Sequence, residues 1–266
     1  MSNPSTNRRK RAARSGSKVL VLTPVKNAGR HIGRYVELLE ALSYQRSLLS
    51  VGLLASDCDD DTFEQLIELK SRLAARCRRV HISKRDFGFR IPKGVARWAP
   101  AYQLARRSVL ARSRNTLLFR ALDDEDWVLW IDVDVVDYAP EILDALLATK
   151  LDIVQPHCVL EKDGATFDRN AWCDNGAKQM QDLRAADGPV RLDAVGGTML
   201  LVRADLHRDG LIFPPFRYGV ESPWIRATHP VWGRGEVETE GFGIMAKDMG
   251  LQCWGLPNLE ILHARS

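Results

Sequence analysis

The chain has 266 residues, of which 45% are hydrophobic and 27% are charged, a globular composition that excludes a wholly disordered protein. No apolar run approaches the roughly 20 residues of a membrane-spanning helix, and the basic N-terminus lacks the apolar stretch of a secretory signal. The formal net charge is +4, but residues 1–18 carry six basic residues and no acid, so the remainder carries −2. Because nucleic-acid-binding domains are basic on their folded surface, we expect no nucleic-acid partner.

Residues 1–17, rich in Arg, Ser and Asn, are predicted to be a disordered basic tail. Such a tail increases solubility or attracts the chain to an anionic membrane surface, and both interpretations stay open. The five cysteines are scattered and have no CxxC spacing, which argues against a zinc site or a disulfide framework and for a reducing compartment.

In the first part of residues 18–266, short β-branched runs alternate with helical periodicity. The predicted strands are Lys18–Leu22, Val51–Ala55, Arg79–Ile82, Trp127–Ile131 and Asp152–Pro156. The predicted helices begin near Ile32, at Thr62 with a capping-box pattern, at Ala96 and at Glu141 after Pro140. This alternation predicts an α/β fold with a mostly parallel central sheet and helices on both faces.

The pattern becomes less regular after Cys158. Residues 159–190 are polar and predicted to form a long loop, and residues 213–241, rich in Pro, Gly and Trp, a binding loop. A strand at Val195–Val202, a short helix at Gly243–Met249 and a last strand at Glu260–His263 complete the prediction. We expect one domain over 18–266, with a nucleotide-binding half at about 18–137 and an acceptor and metal half at about 138–266.

Polar side chains follow three of the predicted strands: Lys26 with Asn27, Asp57, and Asp132 with Asp134. Ligands of an open parallel sheet bind beyond the carboxyl ends of its strands. The stretch DWVLWIDVD places two acids one residue apart after a buried strand, and two such charges repel unless water or a cation separates them. Aspartate oxygens suit Mn²⁺ or Mg²⁺, and such a cation can bridge the phosphates of a sugar nucleotide. A solvated strand end is the alternative.

The same letters also fit phosphatases of the haloacid dehalogenase type, in which Asp132 would be the nucleophile and Asp134 the acid and base. That fold usually places its D-x-D motif on the first strand and adds a downstream acidic pair. Here the motif lies in mid-chain, and no such pair follows.

Six sequence blocks carry a more specific likeness: VLVLTPVKNAGRHIGRYVELLEALSY, LLASDCDDDT, RRSVLARSRNTLL, DWVLWIDVDVVDYAPEIL, TEGFGIMAKDMG and GLPNLEILH. In this order, from about residue 18 to 263, they resemble the Anp1/Mnn9/Van1 family of mannosyltransferases. The resemblance implies a GT-A glycosyltransferase fold and transfer of mannose from GDP-mannose with retention, assisted by Mn²⁺. Fungal members build α-1,6-linked mannan in the Golgi as membrane-anchored partners in complexes, so an oligomer is one expected state.

This chain departs from those members because its sequence shows no apolar anchor. We therefore expect a cytoplasmic protein, with peripheral membrane contact through the basic tail as an alternative, and a glycan or lipid-linked acceptor. A glycosyltransferase with another nucleotide-sugar donor and a non-catalytic glycan-binding partner of the same fold remain alternatives, and the phosphatase is the weakest.

The resemblance also assigns roles to individual residues. The predicted nucleotide-binding residues are Pro24, Val25, Lys26, Asn27, Asp57, Arg107, Arg112, Asn115 and Asp132. We expect Arg107, Arg112 and Asn115 to share one helix face towards the diphosphate, since the planar fork of arginine suits phosphate, although exposed arginines on an amphipathic helix are the plain alternative.

Asp132, Asp134 and His263 are the predicted metal ligands, and Glu240 is predicted to be the acid that faces the sugar and the acceptor. Catalysis is assigned to Glu240, Asp132 and Asp134. A carboxylate in the first turn of a helix also has a purely electrostatic explanation, and a lone histidine is often structural.

Gly196 and Gly197, together with Glu240, are predicted to contact the donor and acceptor sugars, since glycine lets the backbone approach a ligand closely; a bulge in a strand is the alternative. Asp248 is a weaker candidate acid. The rings of Tyr218, Trp224 and Trp232 are candidates to stack on sugars, with ordinary packing as the alternative.

Overall fold

A computed structural model describes residues 16–224 and 233–265. Its strands are β1 (Val19–Val25), β2 (Leu49–Ala55), β3 (Arg79–Lys84), β4 (Trp127–Ile131), β5 (Val135–Asp137), β6 (Ile153–Val159), β7 (Trp172–Cys173), β8 (Lys178–Gln179), β9 (Val190–Leu192), β10 (Met199–Arg203) and β11 (Cys253–His263). Its α-helices are α1 (Gly29–Ala41), α2 (Thr62–Ala74), α3 (Pro100–Ala121), α4 (Ile142–Ala148), α5 (Ala204–Arg208) and α6 (Glu238–Asp248).

One sheet has the strand order β3-β2-β1-β4-β10-β6-β11-β5, and β9 pairs with β11. Strands β1 to β4 are parallel to one another, and β11 is parallel to β6. Strand β10 runs antiparallel to both β4 and β6, which makes β6 and β11 parallel to β4. The prediction of a mostly parallel sheet with helices on both faces is confirmed, while the reversed β10 was not predicted.

The two faces of the sheet each bury an apolar layer. In β4, Leu129 and Ile131 face the layer that contains α1 and α2, whereas Val128 and Trp130 face the layer that contains α3 and α6. All four are at most 1% exposed, and burying such a side chain contributes roughly 1.5–3 kcal/mol. A strand covered on both faces must be apolar throughout, which explains the run VLWI before the acids.

Several boundaries differ from the sequence prediction: α3 begins at Pro100 and not at Ala96, and β10 begins at Met199 and not at Val195. Strand β1 continues to Val25. Beyond Leu22 it pairs with β2 but no longer with β4, so Pro24 lies where the strand is hydrogen-bonded on one side only, a position that tolerates proline. Helix α6 begins at Glu238 and not near Gly243. Strand β11 begins at Cys253 and bulges between Leu256 and Glu260, which hid its first half from a search for regular alternation.

Strands from both sides of residue 137 join the sheet, and the division into a nucleotide-binding half and an acceptor half stays a prediction. Within residues 16–224 and 233–265, no helix combines the length and apolar character needed to cross a membrane. The first fifteen residues of the predicted basic tail lie outside the described residues.

Candidate active site

The carboxyl ends of β1, β2, β4 and β11 meet at one edge of the sheet, because these strands run in the same direction. Lys26, Asp57 and Asp132 follow the first three of these strands, and His263 is the last residue of β11. The residues predicted to bind a ligand are thus brought to one edge from distant parts of the chain.

Asp134 and His263 contact each other directly. The Nε2 atom of His263 lies 3.1 Å from Oδ1 of Asp134, and Nδ1 lies 2.7 Å from the carbonyl oxygen of Ala264. Because a carbonyl only accepts, Nδ1 carries a hydrogen, and Nε2 is the nitrogen presented to Asp134. Burial alone would lower the pKa of His263, but the hydrogen bond and charge of Asp134 raise it above its ordinary value. Phe167 stacks on the imidazole at 3.9 Å between ring centroids and fixes its plane.

Asp132 is bound by Arg114, a residue that the sequence reasoning did not select. Nη2 of Arg114 donates to Oδ1 of Asp132 at 2.9 Å. Burial raises the pKa of Asp132 to about 6, an effect that Arg114 opposes and the neighbouring charges of Asp134 and Asp168 reinforce. Two carboxylates close together resist joint ionisation, so a cation at this edge would stabilise both.

Arg114 is 1% exposed and joins three elements. Besides Asp132, it donates from Nε to Oε1 of Glu238 at 3.0 Å and from Nη2 to the carbonyl of Gly197 at 3.3 Å. Glu238 has a φ of +57°, a left-handed conformation that is costly for a glutamate. Burial would raise the pKa of Glu238, but Arg114 and Arg107 lower it, so the two cations hold this ionised residue at the start of α6.

Positions 196 and 197 must be glycine because neighbouring side chains of the protein leave no room for a Cβ atom. An added Cβ would overlap the guanidinium of Arg114 at Gly197 and the carboxylate of Asp168 at Gly196. Oδ2 of Asp168 accepts hydrogen bonds from the backbone of Gly197 at 2.8 Å and of Thr198 at 3.1 Å. Both glycines precede β10, so the alternative of a bulge inside a strand is wrong, and contact with a donor sugar stays a prediction.

Glu240 lies inside the protein and not on an open face, which corrects its predicted placement. It is 2% exposed; Oε1 accepts from the indole nitrogen of Trp172 at 2.7 Å, and Oε2 accepts from Nη1 of Arg107 at 2.5 Å. The reason is that α6 begins earlier than predicted and turns its first residues towards α3. A role for Glu240 at the reacting centre stays a prediction that requires these contacts to be exchanged.

The predicted shared face of Arg107, Arg112 and Asn115 on α3 is wrong. Five residues separate the two arginines, which places them about 140° apart around a helix of 100° per residue. Arg107 is buried against Glu238 and Glu240, while Arg112 is exposed and lies 4.8 Å from the centroid of the Phe87 ring.

Asn115 clamps the chain before the 213–241 loop. Its amide donates to the carbonyl of Phe213 at 2.7 Å and accepts from the nitrogen of Phe213 at 3.0 Å. This reciprocal pair gives Asn115 a structural function, and its predicted contact with a nucleotide stays untested.

Arg106 is a further arginine of α3 that could bind an anionic ligand. It is half-buried, and its hydrogen bond to Oε1 of Gln103 is long at 3.5 Å. Burial and the charge of Arg97 lower the pKa of Arg106 to about 10, although Glu238 and Asp132 attract the cation. A half-buried guanidinium with a weak partner gains most from an added anion.

Residues after β1 and β2 hold two loops in place. Pro24 and Val25 are buried in β1. Lys26 donates to the carbonyl of Phe89 at 2.9 Å, and Oδ1 of Asn27 accepts from the nitrogen of Asp59 at 2.7 Å.

The Asp57 side chain, a predicted nucleotide-binding group, is fully buried. Its Oδ1 accepts from the backbone nitrogens of Phe87 and Gly88 at 3.0 and 2.8 Å, and Arg90 adds an ion pair of 3.1 Å. Burial would raise the pKa of Asp57, but these backbone donors lower it. The carboxylate thus binds groups of the loop after β3 and orders that loop. A direct contact between Asp57 and a nucleotide stays a prediction.

Two candidate stacking residues have other partners. Tyr218 is half-buried with Phe216 at 6.4 Å between centroids, and Trp224 is 47% exposed with Nζ of Lys247 at 5.3 Å from its ring. Asp248 accepts from the hydroxyl of Ser222 at 3.1 Å, as a surface residue would. Trp232 lies outside the described residues.

The carboxylate and imidazole groups at this edge fit a divalent cation that takes most of its ligands from substrate phosphates and water. Among the residues that the structure describes, no group of three or more His, Cys, Asp and Glu side chains converges to enclose an ion. Asp134 and His263 do meet, and the hydrogen bond from Nδ1 of His263 to a carbonyl is the orientation found in ligating histidines. Mg²⁺ and similar ions commonly use one or two carboxylates, with substrate phosphates and water as their other ligands.

Residues 2–188 and 177–217 match the family model described as Anp1. The chain belongs to the Anp1 family. The mannan polymerase II complex anp1 subunit of Schizosaccharomyces pombe is 28% identical over 288 residues, which cover 92% of this chain and 64% of that protein. The mannan polymerase complex subunit MNN9 of Candida albicans is 27% identical over 299 residues, or 96% of this chain and 76% of that protein.

This Anp1-family chain has the GT-A fold. Mannosyltransferase PcManGT from Pyrobaculum calidifontis, solved in complex with GDP-Man and Mn²⁺, superposes with a TM-score of 0.55 at 15% sequence identity. The match covers 98% of this chain and 63% of that one. The GT-A fold is found in glycosyltransferases, and the haloacid dehalogenase alternative is wrong because its fold differs.

Proposed function

We propose that this Anp1-family chain is a retaining α-mannosyltransferase that uses GDP-mannose and a divalent cation, Mn²⁺ or Mg²⁺. The observation that carries the proposal is the meeting of Asp134 and His263 beside Asp132 at the carboxyl edge of a GT-A sheet. The structural neighbour was solved in complex with GDP-Man, and the relatives are subunits of mannan polymerase complexes. Both observations support mannose as the transferred sugar.

The cation would be held by Asp134 and His263, with Asp132 beside it, and when bound it supplies positive charge for the leaving diphosphate. Arg114 fixes the orientation of Asp132 through one oxygen. Arg106, on α3, supplies a second positive charge for the diphosphate. The N-terminus of α3 lies at the same edge of the sheet, because the preceding strand, β3, ends there.

The Gly196-Gly197 backbone, held by Asp168 and Arg114, would form the wall beside the donor sugar. Glu240, with Trp172 and Arg107, fixes the first turn of α6 against α3 behind that wall. Both arrangements are rigid before a ligand arrives, and preorganised groups lose less entropy on binding. A glycan or lipid-linked acceptor would approach from the open side. Because the relatives are subunits of mannan polymerase complexes, a second subunit is an expected partner.

The test is GDP binding by isothermal titration calorimetry, with and without Mn²⁺, on the wild type, Asp134→Ala and Asp137→Ala. Asp137 is a matched control, because it is an exposed aspartate of the next strand, paired with Arg34. We expect Mn²⁺-dependent affinity for GDP in the wild type and in Asp137→Ala, and its loss in Asp134→Ala with an unchanged melting temperature. Mn²⁺-dependent affinity that survives in Asp134→Ala would refute the assignment.

A second measurement separates the remaining functions. Incubation with GDP-mannose, other nucleotide sugars and an α-mannobiose acceptor, followed by NMR of the product, reports both the donor and the anomeric configuration. An α-linked product from GDP-mannose alone supports the proposal. A product from another nucleotide sugar changes the donor, and GDP binding without turnover would indicate a non-catalytic subunit.

A further inference from the structure

Trp98 is the most exposed large apolar side chain among the residues that the structure describes, at 73%. Tryptophan is a large amphipathic ring that is enriched at binding interfaces, where one part of it is covered and its polar edge stays accessible. The residues around it, Lys93 to Arg97, are exposed as well. Of the other large apolar side chains in this segment Val95 is exposed, at 36%, and the exposed Pro92 and Ala96 add smaller apolar surface.

Trp98 stands on a rigid support. The side-chain amide of Gln103, in the first turn of α3, donates to the carbonyls on both sides of it: to Arg97 at 2.7 Å and to Ala99 at 3.4 Å. The nitrogen of Ala99 also donates to the carbonyl of Ala96 at 2.9 Å. The backbone around the exposed ring is therefore fixed, and the ring loses little conformational entropy when it binds a ligand.

The topology brings the segment that carries this ring to the same edge of the sheet as the candidate active site. Strand β3 ends at the same edge of the sheet as Asp132, and the segment that carries Trp98 connects that end to the start of α3. Arg97, next to Trp98, acts on groups of the site: after burial it is the largest cause of the lowered pKa of Arg106.

We propose that Trp98 is the platform on which a sugar ring of the acceptor stacks, with Arg97 as the adjacent hydrogen-bond donor to its hydroxyls. The apolar face of one pyranose matches one indole in size. A protein interface of ordinary stability buries about 1,000 Å² or more in total, which is far more than one indole ring presents. The assignment rests on the proposed function, because it supplies the acceptor subsite of that reaction.

The test uses Trp98→Ala, Trp98→Phe and the control Phe119→Ala. Phe119 is 68% exposed near the other end of α3, about 30 Å away at 1.5 Å per residue. Initial rates are measured with α-mannobiose and GDP-mannose varied in turn, and α-mannobiose binding is measured without donor by saturation-transfer NMR. We expect Trp98→Ala to raise the KM for α-mannobiose about fivefold to tenfold and to weaken the NMR contact, with the KM for GDP-mannose unchanged.

Trp98→Phe should keep most of the acceptor affinity, and Phe119→Ala all of it. An unchanged acceptor KM and NMR signal in Trp98→Ala overturns the proposal, as does a wild type that does not bind α-mannobiose. Loss of a larger species in size-exclusion chromatography with unchanged acceptor binding would assign the ring to a protein contact instead. Hydrolysis of GDP-mannose by the wild type without acceptor reports on the proposed function separately, so the two failures are distinguishable.

Discussion

The guanidinium of Arg114, in the middle of α3, donates a 2.9 Å hydrogen bond to Asp132 at the end of β4. The same guanidinium reaches Glu238 at the start of α6. One buried cation thereby fixes the relative positions of the sheet edge, α3 and α6, and removing it would leave two carboxylates with less compensation in the interior.

We expect Arg114→Ala to lower the free energy of unfolding by about 3–5 kcal/mol, since it breaks a buried ion pair and leaves the partner charges behind. Urea unfolding followed by circular dichroism measures the change. Arg120→Ala, an exposed arginine in the last turn of the same helix, should change it by no more than about 0.5 kcal/mol. Equal stability of the two variants would contradict the role of Arg114 as a structural link.

Arg106→Ala should weaken Mn²⁺-dependent binding of GDP about 10- to 100-fold, because a hydrogen bond to a charged group contributes about 1.5–3 kcal/mol. Arg106→Lys should recover part of the affinity, since lysine keeps the charge but loses the planar fork. Titration calorimetry provides the measurement, and Arg120→Ala is again the control. Wild-type affinity in Arg106→Ala would show that the diphosphate binds elsewhere.

His207 should make the protein less stable as the pH falls. Its Nδ1 donates to the carbonyl of Leu211 at 2.6 Å, and its Nε2 accepts from the indole of Trp130 at 3.3 Å, so the folded protein holds a neutral ring. Burial lowers the pKa of His207 to about 4, whereas the unfolded chain titrates near 6.5. Between pH 6.5 and 4 only the unfolded state gains this proton, which removes up to about 3 kcal/mol of stability.

Urea unfolding at pH 7 and at pH 4.5 tests this. His207→Gln can accept from Trp130 and donate to Leu211 without titrating, so its stability should fall less over this range than that of the wild type. An identical pH dependence of the two proteins would show that other groups cause the loss of stability at low pH.

The strand ends were predictable from the sequence because fully buried parallel strands are apolar throughout and stop abruptly at polar residues. That rule located Asp132, Asp134 and Asp57, and the parallel topology brought them to one edge. His263 was located only through a family resemblance, since a single histidine after a bulged strand has no periodic signal. The fold and the family were confirmed, whereas the roles of individual residues stay predictions.

The arginines of α3 were not predicted correctly because each was considered as a phosphate ligand or an exposed cation and not as a buried ion-pair partner. Arg107, Ala111, Arg114, Leu118 and Ala121 form one stripe at helical spacing, and all five are buried. A cation inside an apolar stripe indicates a buried ion pair, and that signal was present in the sequence. Its partner Glu238 was not predictable, because it lies far along the chain in a left-handed conformation at a helix start.

The last strand supplies His263, so the candidate metal site has one ligand from mid-chain and one from the end of the fold. During synthesis on the ribosome, Asp132 and Asp134 leave the exit tunnel long before β11 does. The two acids must then remain without their imidazole neighbour until β11 inserts between β6 and β5. Nascent chains therefore lack the ion-binding arrangement until β11 has been synthesised, and its completion coincides with the insertion of that strand into the sheet.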